Sequence, residues 1–400
     1  MKTYLKKTQN DNVSLYLHIP FCEVKCVYCD FNTYANIESL IPGYINALIR
    51  EIRFWNENLR GYRVKTIFFG GGTPSYLKAA DLSRLMNAIN NNFDLVPDIE
   101  VSIEANPGDI DPLKLSTYLE CGINRLSIGA QSFDDNILKL LSRKHTAVDI
   151  IESYKLAMEA GFKNISLDLI YGLPYQTVEG WNDTLEHAIA LNPVHLSLYC
   201  LTVEKGTPLD QWVKLGKISK PDEDLAADMY LLAEQRMKDC GYHHYEISNW
   251  TIRGFESRHN LTYWRNQSYL GLGPGAHSYL NHKRFSNIKS PREYIHKLND
   301  CSLESYSSFE ESIHLSPVIN EIESIDRKSE IAETLMMGLR LHEGVNLQTF
   351  KQRFNLMPSD VYPKDLNELY HLGLLEKDDE TLRLTPRGRI LGNEVFSRFF

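Results

Sequence analysis

Three cysteines fall within eight residues, in the run His18-Ile19-Pro20-Phe21-Cys22-Glu23-Val24-Lys25-Cys26-Val27-Tyr28-Cys29. Thiolates spaced this closely, on a loop that follows an apolar, β-branched run, can converge on one soft metal centre. A structural zinc would want a fourth ligand close by, for which His18 is the nearest candidate. A [4Fe-4S] cluster is the other solution: its usual complement is four thiolates, so three leave one iron open to a chelating small molecule. The remaining cysteines, Cys121, Cys200, Cys240 and Cys301, stand alone among apolar or helix-end residues and read as buried, inert thiols. An odd total of seven laid out this way is not a disulfide framework.

These residues need a scaffold, and the chain from Val13 to about Ala190 supplies one. Short β-branched runs alternate with amphipathic helical stretches, the pattern of repeated βα units around a parallel sheet. Six strands are expected, at Val13 to Ile19, Val64 to Phe69, Ile99 to Ala105, Asn124 to Gly129, Asn164 to Ile170 and Val194 to Cys200. Leu40, Tyr44, Leu48, Ile52 and Trp55 fall at helical spacing, as do Leu82, Leu85, Met86, Ile89 and Phe93. The strands alternate in polarity, although a strand covered on both faces should read as a continuous apolar run. Val101 and Ile103 oppose Glu100, Ser102 and Glu104; Leu167 and Leu169 oppose Ser166 and Asp168; Leu196 and Leu198 oppose Ser197 and Tyr199. The expectation is a partial or six-unit (β/α) barrel of the α/β class whose polar inner face holds a polar ligand.

Beyond Tyr199 the repeat is lost. A mixed extension carries the first domain to residue 300, and in it Tyr242-His243-His244-Tyr245-Glu246 reads as a strand. Residues 301–326, rich in Ser and Glu, read as a linker, and 327–400 as a small helical, winged-helix-like C-terminal domain with a hairpin at Leu374 to Leu384. Its third helix, placed at Asp365 to Leu372, carries no Arg or Lys, which favours internal packing or a partner contact over DNA. A net charge of -9 argues against nucleic-acid binding generally. The N-terminus lacks an apolar signal core, and the longest mostly apolar stretch, Val194 to Val203, falls short of the ~20 residues of a membrane span. A soluble, cytoplasmic protein is expected.

The spaced cysteines, with the aromatic Tyr28 before the third, resemble the hallmark of the radical S-adenosylmethionine (SAM) superfamily. There the open iron takes the amino and carboxylate groups of SAM, and one electron cleaves the carbon–sulfur bond to give methionine and a 5'-deoxyadenosyl radical. Phe69-Gly70-Gly71-Gly72-Thr73-Pro74 ends the second strand as the family's glycine-rich segment does, with the glycines letting backbone carbonyls approach the cofactor's ammonium. The resemblance implies further SAM contacts from Tyr16, Glu104, Gln131, Arg143 and Asp168, and more weakly a backbone contact from His277 in Gly271-Leu272-Gly273-Pro274-Gly275-Ala276-His277.

Over the whole chain the sequence is most similar to the oxygen-independent coproporphyrinogen III oxidase group, on Gly129-Ala130-Gln131-Ser132-Phe133, Asp168-Leu169-Ile170-Tyr171-Gly172-Leu173-Pro174 and the C-terminal part. The oxidases carry a further cysteine two residues after the triplet, where Phe31 stands here, and a longer N-terminal extension. Both departures, and His259-Asn260-Leu261-Thr262-Tyr263-Trp264, match the group's haem chaperone branch, which implies His259 as a haem ligand beside two aromatic faces. As partners it implies haem, apo-haemoproteins such as respiratory-chain components, an electron donor such as flavodoxin or ferredoxin, and peripheral membrane association through those partners. Two other readings stay open. One is a coproporphyrinogen dehydrogenase-type oxidoreductase that decarboxylates propionates by radical chemistry; the other is a non-catalytic metal-binding module.

Overall fold

The computed structural model describes residues 12–300 and 308–399. Six strands run parallel and pair in chain order: β1 (Asn12–Ile19), β2 (Arg63–Gly71), β3 (Asp94–Ala105), β4 (Arg125–Gln131), β5 (Asn164–Tyr171) and β6 (His195–Cys200). Helices α1 (Ile41–Asn56), α2 (Ala79–Asn92), α3 (Pro112–Glu120), α4 (Ala147–Ala160) and α5 (Val178–Ala190) fill the crossovers. The six expected strands are therefore all present, within a few residues of their expected ends. On α1, Tyr44, Leu48, Ile52 and Trp55 share the face buried against the sheet. The bounds of α4 are set locally: Thr146 and Asp149 form a reciprocal capping box, and Gly161 ends the helix at φ +109°, a conformation open to glycine without strain.

Six further strands extend this sheet to twelve. They are β7 (His243–Glu246), β8 (Asn249–Thr251), β9 (Tyr269–Leu272), β10 (His277–Leu280), β11 (Lys283–Asn287) and β12 (Ile319–Ser324). β9 joins β1 in parallel and leads antiparallel through β10 and β11 to β12, while β8 and β7 add antiparallel beyond β6. β12 overturns part of the expected linker. Residues 309–324 form a helix, Phe309–Leu315, and an edge strand registered against β11 from Lys283 to Asn287. The segment looked like a linker because its sequence, Ile319-Asn320-Glu321-Ile322-Glu323-Ser324, carries the charges that keep an edge strand from recruiting another chain.

The C-terminal part packs a separate core in which Leu335, Phe350, Leu366, Leu369 and Val395 are buried together. It comprises α7 (Arg327–Gly338), α8 (Leu347–Phe354), α9 (Pro363–His371) and a small sheet of β13 (Val345–Asn346), β14 (Leu375–Lys377) and β15 (Thr381–Leu384). The short helix α6 (Arg258–Trp264) precedes them in the chain. The third helix starts two residues earlier than expected and so includes Lys364. Among the described residues no helix is long and apolar enough to cross a membrane.

The inner face of the six-strand barrel is polar, as the alternation implied, but its two ends are used differently. At the N-terminal end α6 sits inside the barrel. Glu100 on β3 accepts from the first backbone N–H groups of that helix, Arg258 N at 3.0 Å and His259 N at 2.9 Å. Ser14, Thr66, Thr262 and His259 close a hydrogen-bonded group beneath it. Part of the polar face thus serves the chain's own helix, an internal use that the expectation of a polar ligand inside the barrel did not include.

Candidate functional site

At the C-terminal end of β1 to β6 the barrel opens into a cleft with two lobes. The larger lobe, about 670 Å³, is lined by Tyr16, His18, Lys25, Tyr263, Tyr269, His277 and Lys289 among others. The second, about 530 Å³, is lined by Cys22, Cys26, Cys29, Tyr28, Gly71, Gly72, Thr73, Glu104, Gln131, Arg143 and Asp168. Lys25, Asp30, Phe31, Thr33, Gly71 and Glu104 belong to both, so the lobes share a wall.

The three cysteines reach the second lobe from one loop, whose turn is closed by Cys29 N donating to Cys26 O at 3.1 Å. Polar groups surround the sulfurs: Thr73 Oγ1 donates to Cys22 Sγ at 3.6 Å, Arg143 Nη1 lies 3.4 Å from Cys26 Sγ, and Thr33 Oγ1 lies 3.8 Å from Cys29 Sγ. Donors aimed at sulfur favour the thiolate and tune a metal bound to it. Burial pushes the Cys22 and Cys29 thiols up. The zinc alternative loses its fourth ligand, because His18 is engaged at both ring nitrogens, by Tyr16 Oη at 3.0 Å and Asn32 O at 2.9 Å. Three thiols opening onto one cavity, with His18 already engaged, fit a [4Fe-4S] cluster with one open iron better than a four-ligand zinc.

Gly71 and Gly72 have a packing reason to be glycine, beside the expected one. A Cβ on Gly71, which stands at φ +115°, would come within 2.5 Å of the His18 ring, and one on Gly72 within 2.7 Å of Phe21 O and 3.0 Å of Cys22 Sγ. The chain's own close packing of β2 against the cysteine loop therefore demands glycine, whatever else the backbone faces.

The remaining expected contacts converge on the same lobe. Glu104, at the end of β3, keeps one hydrogen bond, from Gly71 N at 3.0 Å to Oε2. Burial, reinforced by the neighbouring Asp168 and partly offset by that N–H, pushes Glu104 up to about 7. Asp168 is held by Ser127 Oγ at 2.7 Å and Ser166 Oγ at 2.9 Å; burial raises its pKa while the serines around it pull back. Arg143 donates through Nη2 to Asn106 Oδ1 at 2.6 Å and Gly129 O at 2.8 Å, which fixes the guanidinium along the cavity wall. Gln131 follows a break in the β4–β5 register and stands at φ +66°. Tyr16 lines the larger lobe only, as does His277.

Two expectations fail here. His259 lines neither lobe: it is 1% exposed, Nδ1 lies 2.8 Å from Thr66 Oγ1, Nε2 lies 2.9 Å from Tyr263 Oη, and its ring stacks on Phe68. Burial, with Lys65 nearby, takes its pKa down to about 3. With both nitrogens engaged it has none to give an iron, and the expected role does not fit. The rest of its motif is split, since Tyr263 lines the larger lobe and Trp264 lies under Arg340 of the C-terminal part, 5.4 Å away. The isolated cysteines are not buried either: Cys200 and Cys240 are exposed and Cys121 is half-buried, while Cys301 lies outside the described residues. Sequence reasoning also passed over Asn106, Ser127, Thr202 and Glu204 in the second lobe and Lys25, Tyr269 and Lys289 in the larger one. Ser127 was within reach, because it falls on the polar phase of a strand already identified.

An open six-unit barrel with three cysteines and two strand-end carboxylates around one cavity defines the class of radical SAM proteins. Comparison with known proteins agrees: the model of the Radical SAM superfamily matches residues 16–188 and that of the HemN C-terminal domain residues 325–391. The chain is 36% identical over 387 residues to the heme chaperone HemW of Bacillus subtilis, covering 96% of this chain and 98% of that protein. It is 38% identical over 387 residues to that of Lactococcus lactis, covering 96% and 97%. A mouse protein, radical S-adenosyl methionine domain-containing protein 1, mitochondrial, is 35% identical, covering 96% and 86%. Among solved structures, coproporphyrinogen III oxidase (HemN) of Escherichia coli, a radical SAM enzyme, aligns with a TM-score of 0.83 at 25% identity, covering 98% and 91%. The chain belongs to the heme chaperone HemW family.

Proposed function

We propose that this protein binds haem and hands it to apo-haemoproteins, with a [4Fe-4S] cluster on Cys22, Cys26 and Cys29 and SAM beside it in the second lobe. The observation that carries the reading is that the cysteines, Glu104, Gln131, Arg143 and Asp168 all line one cavity in a chain whose relatives are heme chaperones. The cluster, when bound, supplies an iron to anchor SAM and an electron for reductive cleavage. The protein's own groups do the positioning. Glu104 and Asp168 can accept from the ribose hydroxyls, and Arg143, already braced by Asn106 and Gly129, holds positive charge beside Cys26. Phe31, 65% exposed at the shared wall, stands between the two lobes as an apolar surface.

Apo-haemoproteins of the respiratory chain are the expected recipients, and a flavodoxin or ferredoxin the expected electron source. The test is anaerobic reconstitution of the whole chain. Expected are about four irons and four sulfides per chain, an EPR signal on reduction, and saturable uptake of haem followed in the Soret band. Conversion of coproporphyrinogen III to protoporphyrinogen would replace the chaperone reading with the oxidase one, and failure to take up either iron–sulfur or haem would end it.

A further inference from the structure

The two lobes share a wall but differ in chemistry. The second lobe carries the cysteines and the carboxylates, whereas the larger one is walled by Tyr16, Tyr34, Tyr263 and Tyr269 and edged by Lys25 and Lys289. Its volume, about 670 Å³, lies in the range of sites that enclose a whole small-molecule ligand. A flat tetrapyrrole with two carboxylates asks for aromatic faces against its plane, cations at its edge and, where it carries iron, a nitrogen ligand.

Three histidines lie in or beside this lobe, and their hydrogen bonding separates them. Both ring nitrogens of His18 are engaged, by Tyr16 Oη and Asn32 O. Both of His259 are engaged, by Thr66 Oγ1 and Tyr263 Oη. His277, at the first position of β10, is exposed on the lobe and its ring has no hydrogen-bond partner among the described residues. Lys289, also exposed, uses its backbone carbonyl to fix Asn32 at 2.9 Å, while its ammonium has no acceptor among the described residues. Lys25 spends two donors on Phe31 O and Thr33 O, and an ammonium has a third. The backbone beneath His277 is rigidly placed. A Cβ on Gly271 would come within 2.1 Å of His277 O, and Gly271 N is held by Ser278 Oγ at 2.9 Å.

We propose that the larger lobe is the haem site, with the His277 imidazole as the iron ligand and Lys289 and Lys25 receiving the propionates. This rests on the haem-chaperone reading and adds its location. It also places haem across the shared wall from the cysteines, with Phe31, Gly71 and Glu104 between the two cofactors.

The experiment is a titration of the full-length chain with ferric haem, read in the Soret and visible bands, for the unchanged protein and for His277→Ala, Lys289→Glu and His259→Ala, each checked for fold by circular dichroism. Expected for His277→Ala is a moved Soret maximum and at least tenfold weaker binding, with added imidazole restoring the original spectrum. Lys289→Glu, a surface change with no structural bond to break, should weaken binding several-fold without moving the Soret band. Folded His259→Ala should keep the spectrum of the unchanged protein. Should the unchanged protein bind haem while His277→Ala matches it in affinity and spectrum, the site is elsewhere and the chaperone reading stands. If the unchanged protein takes up no haem, the chaperone reading itself fails and the site with it.

Discussion

Glu100 and Glu104 lie four residues apart on β3, both facing into the barrel, and they have opposite fates. Glu100 is buried and holds the N-terminus of α6 through two backbone N–H groups, whereas Glu104 is half-buried at the cleft and holds one. The same division separates His259, engaged at both nitrogens at the plugged end, from His277, which among the described residues is engaged at neither at the open end. Residue type and strand phase do not distinguish a structural polar group from a functional one. What distinguishes them is whether the chain already satisfies it, since a buried polar group is stable only when paired and an exposed unpaired one is available to a ligand.

The contrast is broken most directly by removing Glu100. Glu100→Ala leaves two helix N–H groups buried without an acceptor and is expected to cost about 4 kcal/mol in urea denaturation, while Glu104→Gln should leave stability at pH 7 unchanged or higher. SAM affinity, by equilibrium binding to the cluster-loaded protein, should show the reverse pattern: at least tenfold weaker for Glu104→Gln and unchanged for whatever Glu100→Ala protein remains folded. His259→Ala comes next. Loss of two hydrogen bonds and of the ring packed on Phe68 should cost about 3 kcal/mol, and a His259→Ala protein as stable as the unchanged one would remove the plug from this account.

The pH dependence of stability sharpens the comparison from the open end. Glu104 is raised from 4.5 to about 7 in the folded, ligand-free chain, so the fold favours its protonated form. That contribution is complete below pH 4.5 and is lost as pH climbs through 7, amounting to about 2.5 kcal/mol between pH 5 and 8. Glu246, buried at the end of β7 and also raised to about 7, slopes the same way, so the difference between the unchanged protein and Glu104→Gln is the quantity to measure. Urea unfolding at pH 5 and pH 8 should show the variant losing about 2.5 kcal/mol less over that interval.

Much of this was legible in the sequence, and the parts that were not share a cause. The strands could be placed because Val101 and Ile103 alternate with Glu100, Ser102 and Glu104, and the cysteine loop because its ligands are contiguous. The helix plug could not be placed, because its ties join residues 158 and 159 apart in the chain and nothing local to Arg258–Trp264 announces them. β12 reads as linker because an edge strand protects itself with the same Ser and Glu that mark a flexible segment. A motif points to His259, and burial decides against it; the free imidazole of His277 is visible only once its surroundings are known.

The smallest expected effect concerns Gln131, which stands at φ +66° where β4 meets the second lobe, a backbone region that costs a side-chain-bearing residue about 1 kcal/mol. Glycine would occupy that conformation freely, so on backbone grounds alone Gln131→Gly should raise stability by up to about 1 kcal/mol, less the entropy that glycine adds to the unfolded chain. The amide is held in this position facing the cavity, with Gly129 kept small beside it: a Cβ there would lie 2.9 Å from Gln131 Nε2 and 3.3 Å from Arg143 Nη2. Strain kept at the open end of the barrel, where Glu104 is also left with a single bond, fits a side chain placed for a ligand. Gln131→Gly is therefore expected to unfold at the same or slightly higher urea concentration and to bind SAM several-fold more weakly. A variant that loses stability while keeping SAM affinity would move Gln131 to the structural side of the comparison, with Glu100 and His259.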